Sequence, residues 1–139
     1  RYWNRPEETA NAFRGGWLHT GDIGRMDSDG FFYLLDRQGD LIISGGYNVY
    51  PREVEDALLA LPGVVEAAVV GLPDETWGER VHAVVAGADL DEDGLLATLR
   101  PMLAGYKAPK ALSIWPELPK SAAGKILRRA VRARLLEGA

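Results

Sequence analysis

Apolar residues recur along this chain at two different periods, one suited to helices and one to strands. Val54, Leu58 and Leu61 fall on one stripe behind Pro51, which predicts a helix over 51–61 with proline in its first turn. Pro62-Gly63 ends it. Two Val- and Ala-rich runs, 64–72 and 80–86, predict strands joined by the 73–79 loop. Residues 91–103 predict a helix with acidic side chains in its first turn, where the helix dipole favours them. A third short strand is expected at 111–115, followed by a loop forced by Pro116 and Pro119. Leu127, Val131 and Leu135 recur every four residues and predict a final helix over 126–136.

The first part of the chain reads differently. Residues 6–13 predict a short helix opened by Pro6. Runs 22–26 and 31–35 predict a β-hairpin around Asp27-Ser28-Asp29-Gly30, with Gly30 supplying positive φ. Residues 41–43 form a short apolar strand closed by Gly45-Gly46. The expected fold is α+β: helices packed on a small sheet of about three strands, preceded by a β-hairpin segment. A hairpin alone cannot close a core, so a domain boundary is expected near 37–40, dividing 1–38 from 39–139.

Composition narrows the class. At 47% hydrophobic and 26% charged, the chain of 139 residues has the make-up of a globular protein. It contains no cysteine, which removes disulfides, thiolate metal sites and a cysteine nucleophile and fits a cytoplasmic location. No apolar run has the length of a membrane span. The polar start at Arg1, without methionine, suggests a piece of a longer protein. The net charge of −4 is uneven: residues 105–139 hold eight basic and two acidic residues, and the other 104 hold eight basic and eighteen acidic. Such asymmetry suggests an anionic partner for the C-terminal part: a nucleotide, CoA or nucleic acid.

Several residues carry candidate chemistry, each with a plainer reading beside it. Lys125 in PKSAAGKILRR sits on a flexible small-residue loop, from which a lysine can swing towards a ligand as a mobile point charge. This is not a phosphate-cradling loop, because Pro119 stands where that motif needs glycine and Ile126 where it needs Ser or Thr. Otherwise Lys125 is a solvated surface lysine. Asp22, in GGWLHTGDIG, can accept hydrogen bonds from a ribose diol or simply stabilise a turn. Arg37 suits phosphate or ribose oxygens, or a local ion pair with Asp36 or Asp40. Gly39 suits a hinge or an ordinary turn. Gly45-Gly46 permits close backbone approach to a ligand, or just ends a strand. Trp77 can stack on a base or cover a core edge; Lys107 and Lys110 can meet phosphates or line a solvated face. His19 and His82 lack the spacing of a metal pair, and no metal motif is present; His82 alternates within a strand and reads as structural.

The order of these segments is more specific than any one of them. WLHTGD, DRQGDLIISGGYNVYPREVE, PDETWGE, YKAPK and LPKSAAGKILRR, in that sequence, resemble the acyl-CoA synthetase branch of the adenylate-forming superfamily. The resemblance covers nearly the whole chain. It implies that 1–38 is the tail of a large N-terminal AMP-binding domain and 39–139 the small mobile C-terminal domain, with Gly39-Asp40 at the hinge. It implies a two-step reaction, in which a carboxylate and ATP give acyl-AMP and pyrophosphate, and CoA then takes the acyl group. Lys125 matches the catalytic lysine of the first step, Asp22 and Arg37 match nucleotide-binding residues, and Gly45-Gly46 the loop lining the pantetheine channel. Trp77, Lys107 and Lys110 resemble positions that touch CoA. Mg2+ would accompany ATP on ligands mostly in the large domain. Two departures stand out: glycine at 39, where aspartate or lysine is usual, and Ala108, where some relatives are basic.

Three rival expectations remain at this level: an adenylation domain that passes its acyl group to a carrier protein, a nucleic-acid module built on the basic C-terminal part, and a non-catalytic nucleotide-binding or interaction module. The last helix lacks aromatics interleaved with its basic residues, which counts against nucleic acid as a partner. The expected partners are the large N-terminal domain, a small carboxylate, ATP and CoA; the fragment alone is expected to be inactive.

Overall fold

The computed structural model describes residues 1–138, which form two compact units, one ending at Gly39 and one beginning at Asp40.

The first unit holds helix α1 (Pro6–Ala12) and the antiparallel strands β1 (Asp22–Met26) and β2 (Phe32–Arg37). The β1–β2 turn is built around Asp27, whose carboxylate accepts the backbone N–H groups of Asp29 and Phe31 and the Tyr33 hydroxyl. Gly30 has φ +86°. No residue of this unit is buried, and Trp17, Phe32 and Leu34 are 78%, 80% and 74% exposed.

The second unit contains β3 (Ile42–Ser44), β4 (Tyr47–Val49), α2 (Pro51–Leu59), β5 (Val64–Asp74), β6 (Gly78–Gly87), α3 (Glu92–Leu99), β7 (Ala111–Ile114) and α4 (Arg128–Glu137). Its mixed sheet runs β4-β3-β6-β5, with β7 added parallel to β6. The sheet therefore has five strands where the sequence pattern predicts about three. Four of the five match runs read as strands in the sequence, at 41–43, 64–72, 80–86 and 111–115; the one that matches none is β4, which folds back on β3 through Gly45-Gly46. Both glycines have positive φ, +58° and +82°, as a two-residue hairpin turn of matching twist requires.

Other boundaries moved for physical reasons. Strands β5 and β6 extend into the expected 73–79 loop, leaving only 75–77 between them. Pro73 is tolerated there because β5 is an edge strand and its nitrogen owes no bond outward. Helix α3 stops before Pro101 and gives way to a short 3-10 turn, Arg100–Met102. Helix α4 starts at Arg128, two residues later than expected.

Both faces of the sheet are covered. Ala67, Val69, Val81, Ala83 and Val85 face a core with Val54, Leu58, Leu95 and Leu99 from α2 and α3. Ala68, Val70, Leu72, Val84 and Ala86 face a second core with Leu118 and Val131. Two-sided burial explains why β5 and β6 read as continuous apolar runs rather than alternating ones. Helices also cover the outer edge of β5. Glu55 accepts the Val69 N–H at 2.9 Å, and Arg132 Nε donates to the Gly71 carbonyl at 2.7 Å.

His82 is a buried polar group on β6. Its Nε2 lies 3.0 Å from Ser113 Oγ, and its Nδ1 has no partner among the described residues. Burial lowers its pKa, with the nearby Arg80 charge acting in the same direction and Glu92 opposing. A histidine kept neutral by folding stabilises fully above its unfolded value, about 6.5, and less as the pH falls below it. The melting temperature is expected to decline from pH 7.5 to 5.5, by less in His82→Gln. Parallel profiles for the two proteins would refute this.

Candidate functional site

The lysine-bearing loop is a closed turn. Lys120 and Ile126 form an isolated antiparallel bridge. Within it, Gly124 N–H donates to Ser121 O at 2.9 Å, Ser121 N–H to Lys125 O at 2.8 Å, and Lys125 N–H to Ser121 Oγ at 3.2 Å. Gly124, at φ +76°, completes the reversal. The flexible loop expected from the small residues Ser121-Ala122-Ala123-Gly124 is thus pinned at its backbone, because serine's hydroxyl and the turn amides satisfy each other. Lys125 itself lies three residues before α4, exposed, and not at the helix start.

The four lysines differ in what holds their ammonium groups. Lys107 Nζ contacts both oxygens of Glu53, at 2.7 and 2.8 Å, and this bond raises its pKa. Lys120 pairs with Glu66, whose pKa is lowered first by that lysine and then by the Leu118 N–H. Lys110 Nζ sits 4.7 Å from the Trp77 ring centre. Among the described residues Lys125 alone of the four has no carboxylate or ring partner.

Asp22 and Arg37 are cross-strand neighbours in the first unit. They face each other in the β1–β2 register, and Arg37 Nε lies 3.1 Å from Asp22 Oδ1. Arg37 therefore pairs with the other residue expected to bind nucleotide. Asp36 instead accepts the Arg37 backbone N–H, and Asp40 belongs to a separate network with Arg128. Gly39 has an ordinary φ, and a Cβ there would meet nothing within 4 Å, so this conformation does not require glycine.

The remaining expected residues gather around the β3–β4 turn. Gly45 N–H donates to the Trp77 carbonyl at 2.8 Å, and a Cβ on Gly45 would lie 2.8 Å from the Trp77 ring. Tyr47 stacks on Tyr106 with ring centres 4.8 Å apart. Next to Tyr106 stands Lys107, held by Glu53. Sequence reasoning did not single out Tyr47 or Tyr106; each follows a glycine and precedes a polar residue, a signal too common to stand out. This cluster and the Lys125 turn lie towards opposite ends of β5. Lys120 anchors at Glu66 and Trp77 follows Asp74, roughly 25 Å apart at ~3.3 Å per residue.

Among the described residues no group of three or more His, Cys, Asp or Glu side chains could hold a metal ion. No helix among them is long and apolar enough to cross a membrane.

The same arrangement recurs in known proteins. The feruloyl-CoA synthase of Amycolatopsis sp is 52% identical over 136 residues, covering 96% of this chain and 28% of that protein. The long-chain-fatty-acid–CoA ligase of Bacillus subtilis (strain 168) is 55% identical over 139 residues, covering 98% of this chain and 24% of the ligase. Among solved structures, o-succinylbenzoate CoA synthetase (MenE) from Bacillus subtilis, in complex with its acyl-adenylate intermediate, superposes with a TM-score of 0.89 at 43% identity, over 94% of this chain and 27% of that one. The chain thus spans about a quarter of the length of the curated relatives it matches. The sequence profile of the AMP-binding enzyme C-terminal domain matches residues 53–125, more than half of the chain, and the chain belongs to that family.

Proposed function

We propose that this chain is the C-terminal part of an ATP-dependent acid–thiol ligase, an acyl-CoA synthetase, with residues 1–38 the tail of its large domain and 39–139 a mobile catalytic lid. The observation that carries this reading is the free ammonium of Lys125 on a backbone-pinned turn, while the other three lysines are engaged. The names of its relatives, CoA synthases and ligases, support the reaction class.

In the first step a carboxylate oxygen attacks the α-phosphorus of ATP and pyrophosphate leaves. Negative charge concentrates on the phosphoryl oxygens in the transition state. A cation placed there stabilises that state more than the bound substrates, and Lys125 supplies it. Asp22 accepts hydrogen bonds from the ribose hydroxyls, and Arg37, its neighbour at 3.1 Å, holds the carboxylate in place and contacts the nucleotide. In the second step the CoA sulfur attacks the acyl carbonyl and AMP departs. Gly45-Gly46 admits the pantetheine arm, beside Trp77, Lys107 and Lys110. Gly39-Asp40 is the hinge that exchanges the two ends of the lid, which explains why Lys125 and Gly45 lie towards opposite ends of β5.

The test is a panel of aromatic and aliphatic acids given to the full-length protein, read by acid-dependent pyrophosphate exchange and by thioester formation with CoA or a carrier protein. Acid-dependent exchange followed by CoA thioester formation is expected. Exchange without CoA transfer would move the protein to the carrier-dependent class, and no exchange with any acid would defeat the reading. The isolated chain is expected to give no exchange.

A further inference from the structure

One node ties the first residue of the second unit to the lysine turn. The Arg128 guanidinium forks onto Glu55, with Nε 2.8 Å from Oε1 and a terminal nitrogen 2.6 Å from Oε2. Its other terminal nitrogen lies 2.7 Å from Asp40 Oδ2. Glu55 Oε1 also accepts the Val69 N–H at 2.9 Å. Four segments of the second unit meet here: its first residue, α2, the edge of β5, and the start of α4. Arg128 and Glu55 side chains are 20% and 12% exposed, so the fork works in a partly desolvated setting where charge-assisted bonds are strong and directional. Arg128 is also three residues from Lys125, with the turn's bridge to Lys120 between them.

We propose that Arg128 is a positioning residue: by gripping Asp40 and Glu55 together it fixes the Lys125 turn relative to the point where the chain crosses into the second unit. This rests on the reading of Lys125 as the cation of the first step. A lysine carried on a flexible side chain depends on its backbone for placement, and a displacement of the order of 1 Å can cost roughly 10²-fold in rate. Gly39 contributes no side chain to this crossover, so the nearest anchored side chain after it is Asp40.

Removing Arg128 would leave Glu55 charged and unpaired in a partly buried site, and such a variant can fail by unfolding. Asp40→Asn is the better probe, because that side chain is 39% exposed and the Arg128–Glu55 fork survives its loss. In the full-length protein, Asp40→Asn is expected to lower kcat for acyl-adenylate formation roughly tenfold, with KM for ATP unchanged and a smaller loss in thioester formation from supplied acyl-AMP. Asp40→Glu, which keeps the charge, should recover most of the rate. Asp40→Asn combined with Lys125→Ala should be no slower than Lys125→Ala alone, because Asp40 acts through Lys125. Equal loss in both half-reactions, no loss in either, or an additive double variant would each overturn the proposal. If Lys125→Ala leaves adenylation intact, the reading of Lys125 falls and takes this role with it. If Lys125→Ala abolishes adenylation while Asp40→Asn changes nothing, only the role of Arg128 falls.

Discussion

Lys125→Ala in the full-length protein is expected to slow acyl-adenylate formation by about 10²–10³-fold, the usual loss when one preorganised charge stabiliser is removed. Thioester formation from supplied acyl-AMP should survive. The difference follows from geometry: the lysine turn and the Gly45-Gly46 turn are set towards opposite ends of β5, and Gly45 packs on Trp77 and not on any part of the lysine turn. Folding should be little changed, since the turn is held by backbone atoms and Ser121 Oγ and the ammonium has no partner to lose. Lys125→Gln keeps most of the length of the arm without the charge and should behave like alanine. Single-turnover measurements of each half-reaction decide the matter, and equal losses in both would refute the assignment.

How much of this was legible beforehand varies with the kind of interaction. The apolar stripe of α2 and the runs of β5 and β6 record burial directly, so these elements were readable from residue type and period alone. Strand β4 was not, because Tyr47-Asn48-Val49 is three residues long and its pairing depends on the turn before it. The adjacent glycines were the available clue, since two positive-φ residues between short runs are a hairpin signal. The state of each lysine was beyond reach. Glu53 and Lys107 are 54 residues apart, and Glu66 and Lys120 a similar distance, so only the folded chain brings their charges together. Asp22 and Arg37 are an intermediate case. A hairpin was expected, but its bulge between Ile23 and Gly24 sets which residues face each other.

Gly87→Ala is expected to be the most damaging of the small substitutions for stability. A Cβ at this position would lie 1.9 Å from the Gly63 carbonyl oxygen and 3.2 Å from Leu90. The first obstacle is backbone, and that oxygen already accepts the Ala88 N–H at 3.1 Å. Gly63 cannot easily yield: its own φ is +83°, and its Cα side faces the Ala88 carbonyl. Relief requires parting the ends of β5 and β6, where Val64 pairs with Gly87. Overpacking against backbone supports a loss of about 3 kcal/mol, or roughly 10–20 °C in melting temperature for a unit of this size. Gly105→Ala is the matched control, since a Cβ there meets nothing within 4 Å. Thermal unfolding followed by circular dichroism separates the two, and superimposable melts would sink the steric explanation.

The uneven burial of the two units has a practical consequence for anyone cutting this protein. Every well-buried side chain lies after Gly39, and Trp3, Trp17, Phe32 and Leu34 before it stand in water. A shortened chain beginning at Asp40 would keep both cores and the Arg128 node while shedding the stickiest surface. It is therefore the piece to express for spectroscopy or for grafting onto a relative's large domain. Leaving out Asp40 as well would remove one arm of that node for the sake of a single residue.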